Sequence, residues 1–269
     1  MNPVAYNRNY FIIEGKKVKI AAGAIHYFRI PRELWRDRIE KAKLSGLNTI
    51  ETYLAWNAQE FEEGKFDFSG NLDLDAFFFE CERAGMYIIA RPGPYICSEW
   101  DNGGFPAWLN IKKGLKLRTY NKVYLKALKK YFDRCIPIIN RHQCGKGGKV
   151  ILVQLENEYL FPFRIGGAKY MKYLKDDMRK RGIYVPLSSC DHMAQPVKGV
   201  IQTYNGNRNF KQVAKVYKKA YPKNPFLVTE FWCGWFDIWG RSHNKKDVKE
   251  MTGHLKSIKE AGGMYIQYM

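Results

Sequence analysis

Two short tracts of this chain set carboxylates beside amides and aromatic rings: Gln154-Leu155-Glu156-Asn157-Glu158-Tyr159 and Thr229-Glu230-Phe231-Trp232. Three others carry similar chemistry: Ile25-His26-Tyr27-Phe28-Arg29, Glu51-Thr52-Tyr53 with Trp56-Asn57, and Arg91 through Trp100, which holds Cys97, Ser98 and Glu99. Carboxylates and amides bind sugar hydroxyls, and aromatic faces stack on the C–H side of a pyranose. Two carboxylates can also cleave a glycosidic bond. One protonates the leaving oxygen while the other attacks the anomeric carbon or activates water to do so. The donor needs a pKa raised by burial or a neighbouring negative charge, and its partner must stay ionised. Taken alone, a Glu after a strand is an ordinary surface group or ion-pair partner. Carboxylates and aromatics gathered at one rim are what a sugar site requires. Within the first tract, Glu156 and Glu158 are rivals that periodicity does not separate.

Other chemistries find less support. The six cysteines form no CxxC pair and lie at no zinc-ligand spacing with histidine, so they read as scattered reduced thiols. No HExxH occurs; neither a catalytic metal nor a cofactor is expected. Gly145-Lys146-Gly147-Gly148-Lys149 precedes a strand and lacks a following Ser or Thr, which makes it a polar turn rather than a phosphate loop. The formal charge of +19 would suit a nucleic-acid binder, but lysines such as Lys126, Lys129, Lys130 and Lys215, Lys218, Lys219 are spread over helix faces. No nucleic-acid partner is expected. No run approaches the ~20 apolar residues of a membrane span, and Met1–Tyr10 has no apolar signal core, so a cytoplasmic, membrane-free protein is expected.

The elements that must position these groups recur as a unit: an amphipathic helix, a glycine, a short apolar run. Pro31 opens the first helix, with Trp35, Ile39 and Ala42 on one face and Gly46 at its end. Leu74, Phe77, Phe78 and Cys81 precede Gly85; Tyr170, Leu174 and Met178 precede Gly182; Val248, Met251, Leu255 and Ile258 precede Gly262. Each glycine stands where a left-handed C-cap turns helix into strand. Further helices are expected over Val123–Ile139, with Pro137 kinking or ending it, and over Phe210–Tyr221; a short segment between Asp191 and Lys198 is another candidate. The strands read as Val18–Ala24, Asn48–Tyr53, Met86–Ala90, Val150–Leu155, Ile183–Leu187, Val200–Thr203, Pro225–Thr229 and Met264–Met269. About eight strands alternating with helices mark a parallel α/β protein. With no GxGxxG after the first strand, a (β/α)₈ barrel over residues 1–269, one domain, is favoured over a doubly wound sheet. Active residues of such barrels lie at the C-terminal ends of strands, where all five tracts fall.

At these residues the chain resembles glycoside hydrolase family 35, the β-galactosidase family. The matching stretches are Ile25–Pro31, Glu51-Thr52-Tyr53, Arg91–Trp100 with Gly103-Gly104-Phe105-Pro106-Ala107-Trp108-Leu109, the Gln154–Tyr159 tract, and Thr229–Asp237. The resemblance implies that the glutamate after asparagine, Glu158, is the acid/base and Glu230 the nucleophile. It implies that Asn157 bonds the sugar 2-hydroxyl, that Glu99 and the Cys97–Ser98 backbone bind hydroxyls farther round the ring, and that Tyr53 touches sugar or nucleophile. Tyr268 matches another pocket tyrosine, and Trp232 stands where the family often has tyrosine. Trp235 and Trp239 are either core or subsite walls; His26 and Arg29 either brace the barrel floor or touch substrate. The chain departs from the family at Trp56-Asn57-Ala58-Gln59-Glu60-Phe61 and at Ser188-Ser189-Cys190-Asp191-His192. It stops inside the eighth strand, so the barrel is expected to be incomplete there, with the last helix and downstream β-domains absent. The implied activity is exo-acting release of terminal β-galactose from oligosaccharides or glycoconjugates with retention. Alternatives are the same mechanism on another sugar, as in an exo-β-glucosaminidase, or a catalytically impaired carbohydrate-binding barrel. Oligomeric state is left open.

Overall fold

A computed structural model describes residues 3–159, 166–191 and 197–268. The chain opens with a small antiparallel sheet of β1 (Val4–Tyr6), β2 (Phe11–Ile13) and β3 (Lys16–Val18). This sheet was not expected from the sequence, where Val18–Ala24 reads as one strand. Glu14 and Gly15, both at positive φ (48° and 81°), make the two-residue turn that folds β3 back on β2. The barrel strand proper, β4, is therefore only Ala21–Ala24.

Around the barrel follow β5 (Thr49–Tyr53), β6 (Tyr87–Arg91), β7 (Val150–Gln154), β8 (Leu187–Ser189), β9 (Ile201–Gln202), β10 (Tyr204–Gly206), β11 (Leu227–Trp232) and β12 (Met264–Tyr268). All neighbouring pairs are parallel, in the order β10-β11-β12-β4-β5-β6-β7-β8-β9. β9 and β10 are two halves of one strand interrupted at Thr203, whose N–H still donates to Ser189 O at 2.9 Å. That single break leaves eight strands, and the last pairs with the first through Tyr265–Gln267 against Ala21–Gly23. The ring is closed, as a (β/α)₈ barrel requires.

The surrounding helices are α1 (Trp35–Leu44), short α2 (Trp56–Gln59), α3 (Leu74–Arg83), short α4 (Ala107–Asn110), α5 (Lys122–Arg141), α6 (Gly167–Lys180), α7 (Phe210–Ala220) and α8 (Val248–Glu260). Their expected faces are the buried ones: Leu74, Phe77, Phe78 and Cys81 on α3, Tyr170, Leu174 and Met178 on α6. Fully burying each such Leu or Phe is worth about 1.5–3 kcal/mol over leaving it exposed. Gly46 and Gly85 end α1 and α3 at φ +86° and +74°, and the next residue's N–H closes on the carbonyl five back, Leu47 on Ala42 (3.2 Å) and Met86 on Cys81 (2.9 Å). Asp73, Asn121 and Asp247 cap α3, α5 and α8 by accepting from backbone N–H groups.

Three expectations need correction. Pro31 leads into a 3₁₀ turn, Arg32–Leu34, and α1 starts only at Trp35. Of the two outcomes expected at Pro137, ending the helix is the one overturned: α5 runs on to Arg141, with Ile138 and Ile139 beyond the proline buried in the core. Strand five begins at Leu187 rather than Ile183. The backbone of the expected segment is satisfied by side chains instead of a ladder: Gln143 Oε1 accepts from the N–H groups of Tyr184 and Val185 (2.8 and 3.2 Å), and Arg179 Nη1 donates to the carbonyls of Ile183 and Val185 (2.7 and 2.8 Å). Of the candidate segment between Asp191 and Lys198, residues 192–196 lie outside the described residues.

At the foot of α5, His142 lies 2.8 Å from both Glu82 and Asp75. Burial opposes its charge, but the two carboxylates outweigh burial and raise its pKa above the usual histidine value. A raised folded pKa adds stability that is complete below the unfolded value of about 6.5 and disappears as pH rises through the folded one. The melting-temperature gap between wild type and His142→Gln should thus be widest on the acid side of about pH 6.5 and close toward alkaline pH. A gap that widens with rising pH would refute this pairing.

Candidate active site

The floor of the site is built around Arg91, the last residue of β6, which is wholly shielded from solvent. Its Nη2 donates to Glu230 Oε1 and to Asn157 Oδ1, both at 2.7 Å. The Tyr53 ring, opposite it in register on β5, lies 3.9 Å from the guanidinium carbon. Tyr53 Oη is itself 2.9 Å from Asn157 Oδ1 and 2.8 Å from Glu230 Oε1. Because Arg can only donate, the Asn157 oxygen must face it, and Nδ2 is the group Asn157 can offer a ligand. The remaining Glu230 oxygen, Oε2, accepts from the Trp232 indole at 3.1 Å.

Glu156 and Glu158 now separate. Glu156 is fully buried and points away from the pocket: Arg118 contacts both its oxygens (2.8 Å at closest) and Tyr170 Oη donates to it at 2.8 Å. Arg118 also stacks on Tyr95 at 3.9 Å and Tyr159 at 5.3 Å. This ion pair braces the segment that carries Asn157 and Glu158. Glu158 turns into the pocket, where its Oε1 accepts from Asn205 Nδ2 at 3.0 Å. Thr229 Oγ1 in turn donates to Asn205 Oδ1 at 2.9 Å. Both glutamates sit at positive φ (56° and 46°), a conformation that disfavours side chains and that the flanking contacts must hold.

The rim on the β6 side is a run of three left-handed residues, Cys97, Ser98 and Glu99, at φ 53°, 55° and 46°. Such a conformation costs roughly 1–2 kcal/mol per residue. Arg29 offsets it by donating to the carbonyls of Ser98 and Glu99. His26 lies beneath, its Nδ1 3.3 Å from Arg29 and from Ser98 Oγ. Burial first, then the charges of Arg29 and Arg91, lower its pKa to about 3, so the ring is neutral and can accept from the guanidinium. His26 braces the site; Arg29 braces it and also lines the pocket. Tyr268, from β12, donates to Glu99 Oε2 at 3.3 Å, and burial with the nearby Glu230 charge raises the pKa of Glu99.

These groups enclose a pocket of about 730 Å³ lined by Arg29, Cys97, Ser98, Glu99, Asn157, Glu158, Glu230, Trp232, Tyr268 and the Cys233–Phe236 loop. Every site residue expected from the sequence is brought together there except Tyr53, which lies just under the floor and reaches it through its hydroxyl. Trp235 is half exposed and forms wall; Trp239 is fully exposed and stands apart from the lining, so neither is core. Sequence reasoning missed Asn205, Arg91 and Glu51 as site residues. Arg91 and Glu51 stood at strand ends within the carboxylate- and aromatic-rich tracts, a signal that could have found them; Asn205 lies in the second half of the interrupted sixth strand, beyond Val200–Thr203, and left none. Among the described residues no cluster of three or more His, Cys, Asp or Glu could hold a metal ion. Nor is any helix of them long and apolar enough to cross a membrane.

A closed parallel barrel with carboxylates and aromatics at its C-terminal rim is the architecture of the TIM-barrel glycoside hydrolases. The exo-beta-1,4-mannosidase of Opitutaceae bacterium superposes with a TM-score of 0.68 at 15% identity, over 99% of this chain and 54% of that one. The beta-mannanase of Streptomyces thermolilacinus gives 0.62 at 13% identity, over 100% and 84%. At such identities the likeness shows the shared fold. The family is shown by sequence: the model for glycosyl hydrolases family 35 matches residues 10–269, and the chain belongs to that family. It is 43% identical to beta-galactosidase-1-like protein 3 of Rattus norvegicus, over 98% of this chain and 42% of that protein. It is 34% identical to the beta-galactosidase of Bos taurus, over 99% and 42%. The chain thus spans about two-fifths of the length of these curated relatives.

The Arg118–Glu156 pair makes a prediction about stability. Arg118→Met should lower the unfolding free energy by about 3–5 kcal/mol, because it strands a buried carboxylate, and adding Glu156→Gln should restore part of the loss. Urea denaturation measures both. A loss below about 1 kcal/mol would be that of a surface pair and would remove Arg118 as the brace.

Proposed function

We propose that this chain is the catalytic barrel of a retaining, exo-acting β-galactosidase, with Glu158 as acid/base and Glu230 as nucleophile. The observation that carries the reading is the convergence on one pocket of Glu158, from the segment after β7, and Glu230, from β11, each with its own polar support. Membership of family 35 and the likeness to the Bos taurus beta-galactosidase support the sugar. A pocket, rather than an open groove, suits removal of one terminal residue.

Glu158 passes its proton to the glycosidic oxygen. Asn205 occupies Oε1, which makes Oε2 the proton carrier. Glu230 Oε2 attacks the anomeric carbon as the bond to the leaving oxygen breaks; Oε1 stays fixed by Arg91 and Tyr53. Water, deprotonated by Glu158, then frees the sugar with its configuration retained. Asn157 Nδ2 meets the 2-hydroxyl, a contact that can strengthen in the transition state. Glu99 and the Cys97–Ser98 backbone bind hydroxyls farther round the ring, while Trp232 and Tyr268 wall the pocket.

Glu230→Gln should lose at least about 1000-fold in turnover, since an amide cannot form the glycosyl-enzyme. Glu158→Ala should cost about 100–10,000-fold on substrates with poor leaving groups and far less for the first step on activated aryl glycosides. Wild-type turnover in Glu230→Gln would end the assignment.

Aryl β-galactosides should react about 5–150-fold faster than the matching β-glucosides, because a reversed 4-hydroxyl leaves one or more buried groups unpaired at roughly 1–3 kcal/mol each. A panel of aryl β-glycosides measures this. Preference for glucosaminides would move the sugar assignment, and no turnover on any glycoside, with sugar still bound, would make the barrel a binding module.

A further inference from the structure

Arg91 faces two carboxylates. Its Nη2 is 2.7 Å from Glu230 Oε1, while on the other side Nη1 stands 3.4 Å from Glu51 Oε1. Glu51 lies two residues before Tyr53 on β5, so both project to the barrel interior. It is fully buried, and neither of its oxygens has a hydrogen-bond partner among the described residues. Arg91 Nε and Nη1 make no hydrogen bond either. A purely structural buried ion pair would be saturated with donors. Here Glu230 takes the good geometry and Glu51 waits at ion-pair distance.

We propose that Glu51 and Glu230 serve Arg91 as alternating counter-ions: Glu230 holds the negative charge in the resting site, and Glu51 holds it while Glu230 is esterified to the sugar. The proposal rests on Glu230 being the nucleophile of a retaining mechanism. Once Glu230 Oε2 bonds to the anomeric carbon, its charge is gone. A guanidinium cut off from water is then strongly disfavoured unless another anion replaces it. Glu51 is the carboxylate in place to do so, which makes it a positioning residue acting through Arg91.

The groups facing Glu51 agree with this exchange. They are Arg91 from β6, Glu230 from β11 and Tyr53 on its own strand, with the Cys190 thiol and the neutral His26 ring in the surrounding shell of Arg91 and Tyr53. Burial first, and Glu230 in addition, push the Glu51 pKa up to about 7 against the pull of Arg91. Esterifying Glu230 removes that repulsion and frees Arg91 to stabilise ionised Glu51. The balance closes in each half-reaction. On glycosylation the bond to the leaving oxygen breaks, the bond to Oε2 forms, Glu158 gives its proton to the leaving group and Glu51 gives its own to solvent. On hydrolysis the carbon–Oε2 bond breaks, water gives its hydroxyl to the sugar and its proton to Glu158, Glu230 returns as carboxylate, and Glu51 takes a proton back from solvent.

The test uses 2-deoxy-2-fluoro-β-D-galactosyl fluoride, whose fluoride leaves without protonation, so Glu158 drops out of the trapping rate. Peptide mass should locate the label on Glu230 of the wild type; no label there defeats the proposed function and this inference with it. With the label in place, Glu51→Gln should trap at least about 100-fold more slowly, because the intermediate then leaves Arg91 unpaired. Glu51→Asp should recover most of that rate, and release of the trapped sugar, which restores the Glu230 charge, should not slow. Trapping by Glu51→Gln at the wild-type rate, or a parallel fall in trapping and release, overturns the inference while leaving the nucleophile assigned. Should Glu51→Gln fail to fold, proton release on trapping decides in Glu158→Gln, where the acid/base carries no proton. Protons appearing in solution near pH 7 support Glu51 as their source, and none overturns it.

Discussion

A guanidinium wholly removed from water constrains everything near it. Arg91 cannot be neutralised by losing a proton, so its neighbours must supply charge, hydrogen-bond acceptors and a polarizable face. Glu230, Asn157, Glu51 and the ring of Tyr53 do so from three strands or strand ends, β11, the end of β7 and β5. These three segments are far apart in the chain, and only closure of the barrel brings them within reach of one side chain. The same cation that would be ruinous if it stayed buried without these partners also orients the Asn157 amide and one oxygen of Glu230. Fold integrity and site geometry are therefore one requirement at this position.

Two other arginines do for the rim what Arg91 does for the floor. Each pins a stretch of backbone at positive φ: Arg29 holds the Ser98 and Glu99 carbonyls, and Arg118 holds the Asn157 carbonyl together with the Glu156 carboxylate. Strained conformations persist only where the surroundings over-determine them. At the β6 rim that determination comes from outside the strained loop, from the segment after β4. Around Glu156 it comes from the loop before α5 and from Tyr170 on α6. The pocket wall is thus positioned by elements that contribute little to its lining.

Much of the barrel was legible because helix, glycine and apolar run repeat with a mechanism behind each part. The apolar faces of α3 and α6 and the glycine caps follow from periodicity and left-handed backbone alone. What escaped was decided by side-chain hydrogen bonds at a distance. Ile183–Val185 has the composition of a strand, yet Gln143 and Arg179, from the end of α5 and from α6, satisfy its backbone before a neighbouring strand can. Val18–Ala24 is apolar enough to be continuous, yet the turn at Glu14-Gly15 claims Lys16–Val18 for a separate sheet.

The site was legible in proportion to how local its logic is. Asn157 and Glu158 stand side by side in a tract whose composition points to sugar chemistry. Asn205 reaches Glu158 only because the sixth strand breaks at Thr203 and resumes, a kink that no run of residue types announces. Glu156 and Glu158 pose the sharpest case. Two residues apart, they would share a face in a regular strand. Positive φ at both takes this segment out of that alternation, and Arg118 draws Glu156 one way while Asn205 meets Glu158 the other. Which glutamate faces the pocket is settled by partners 38 and 47 positions away along the chain. Periodicity could show that a carboxylate belongs in this tract but not which; the family resemblance pointed to Glu158, and the tertiary partners give the physical reason.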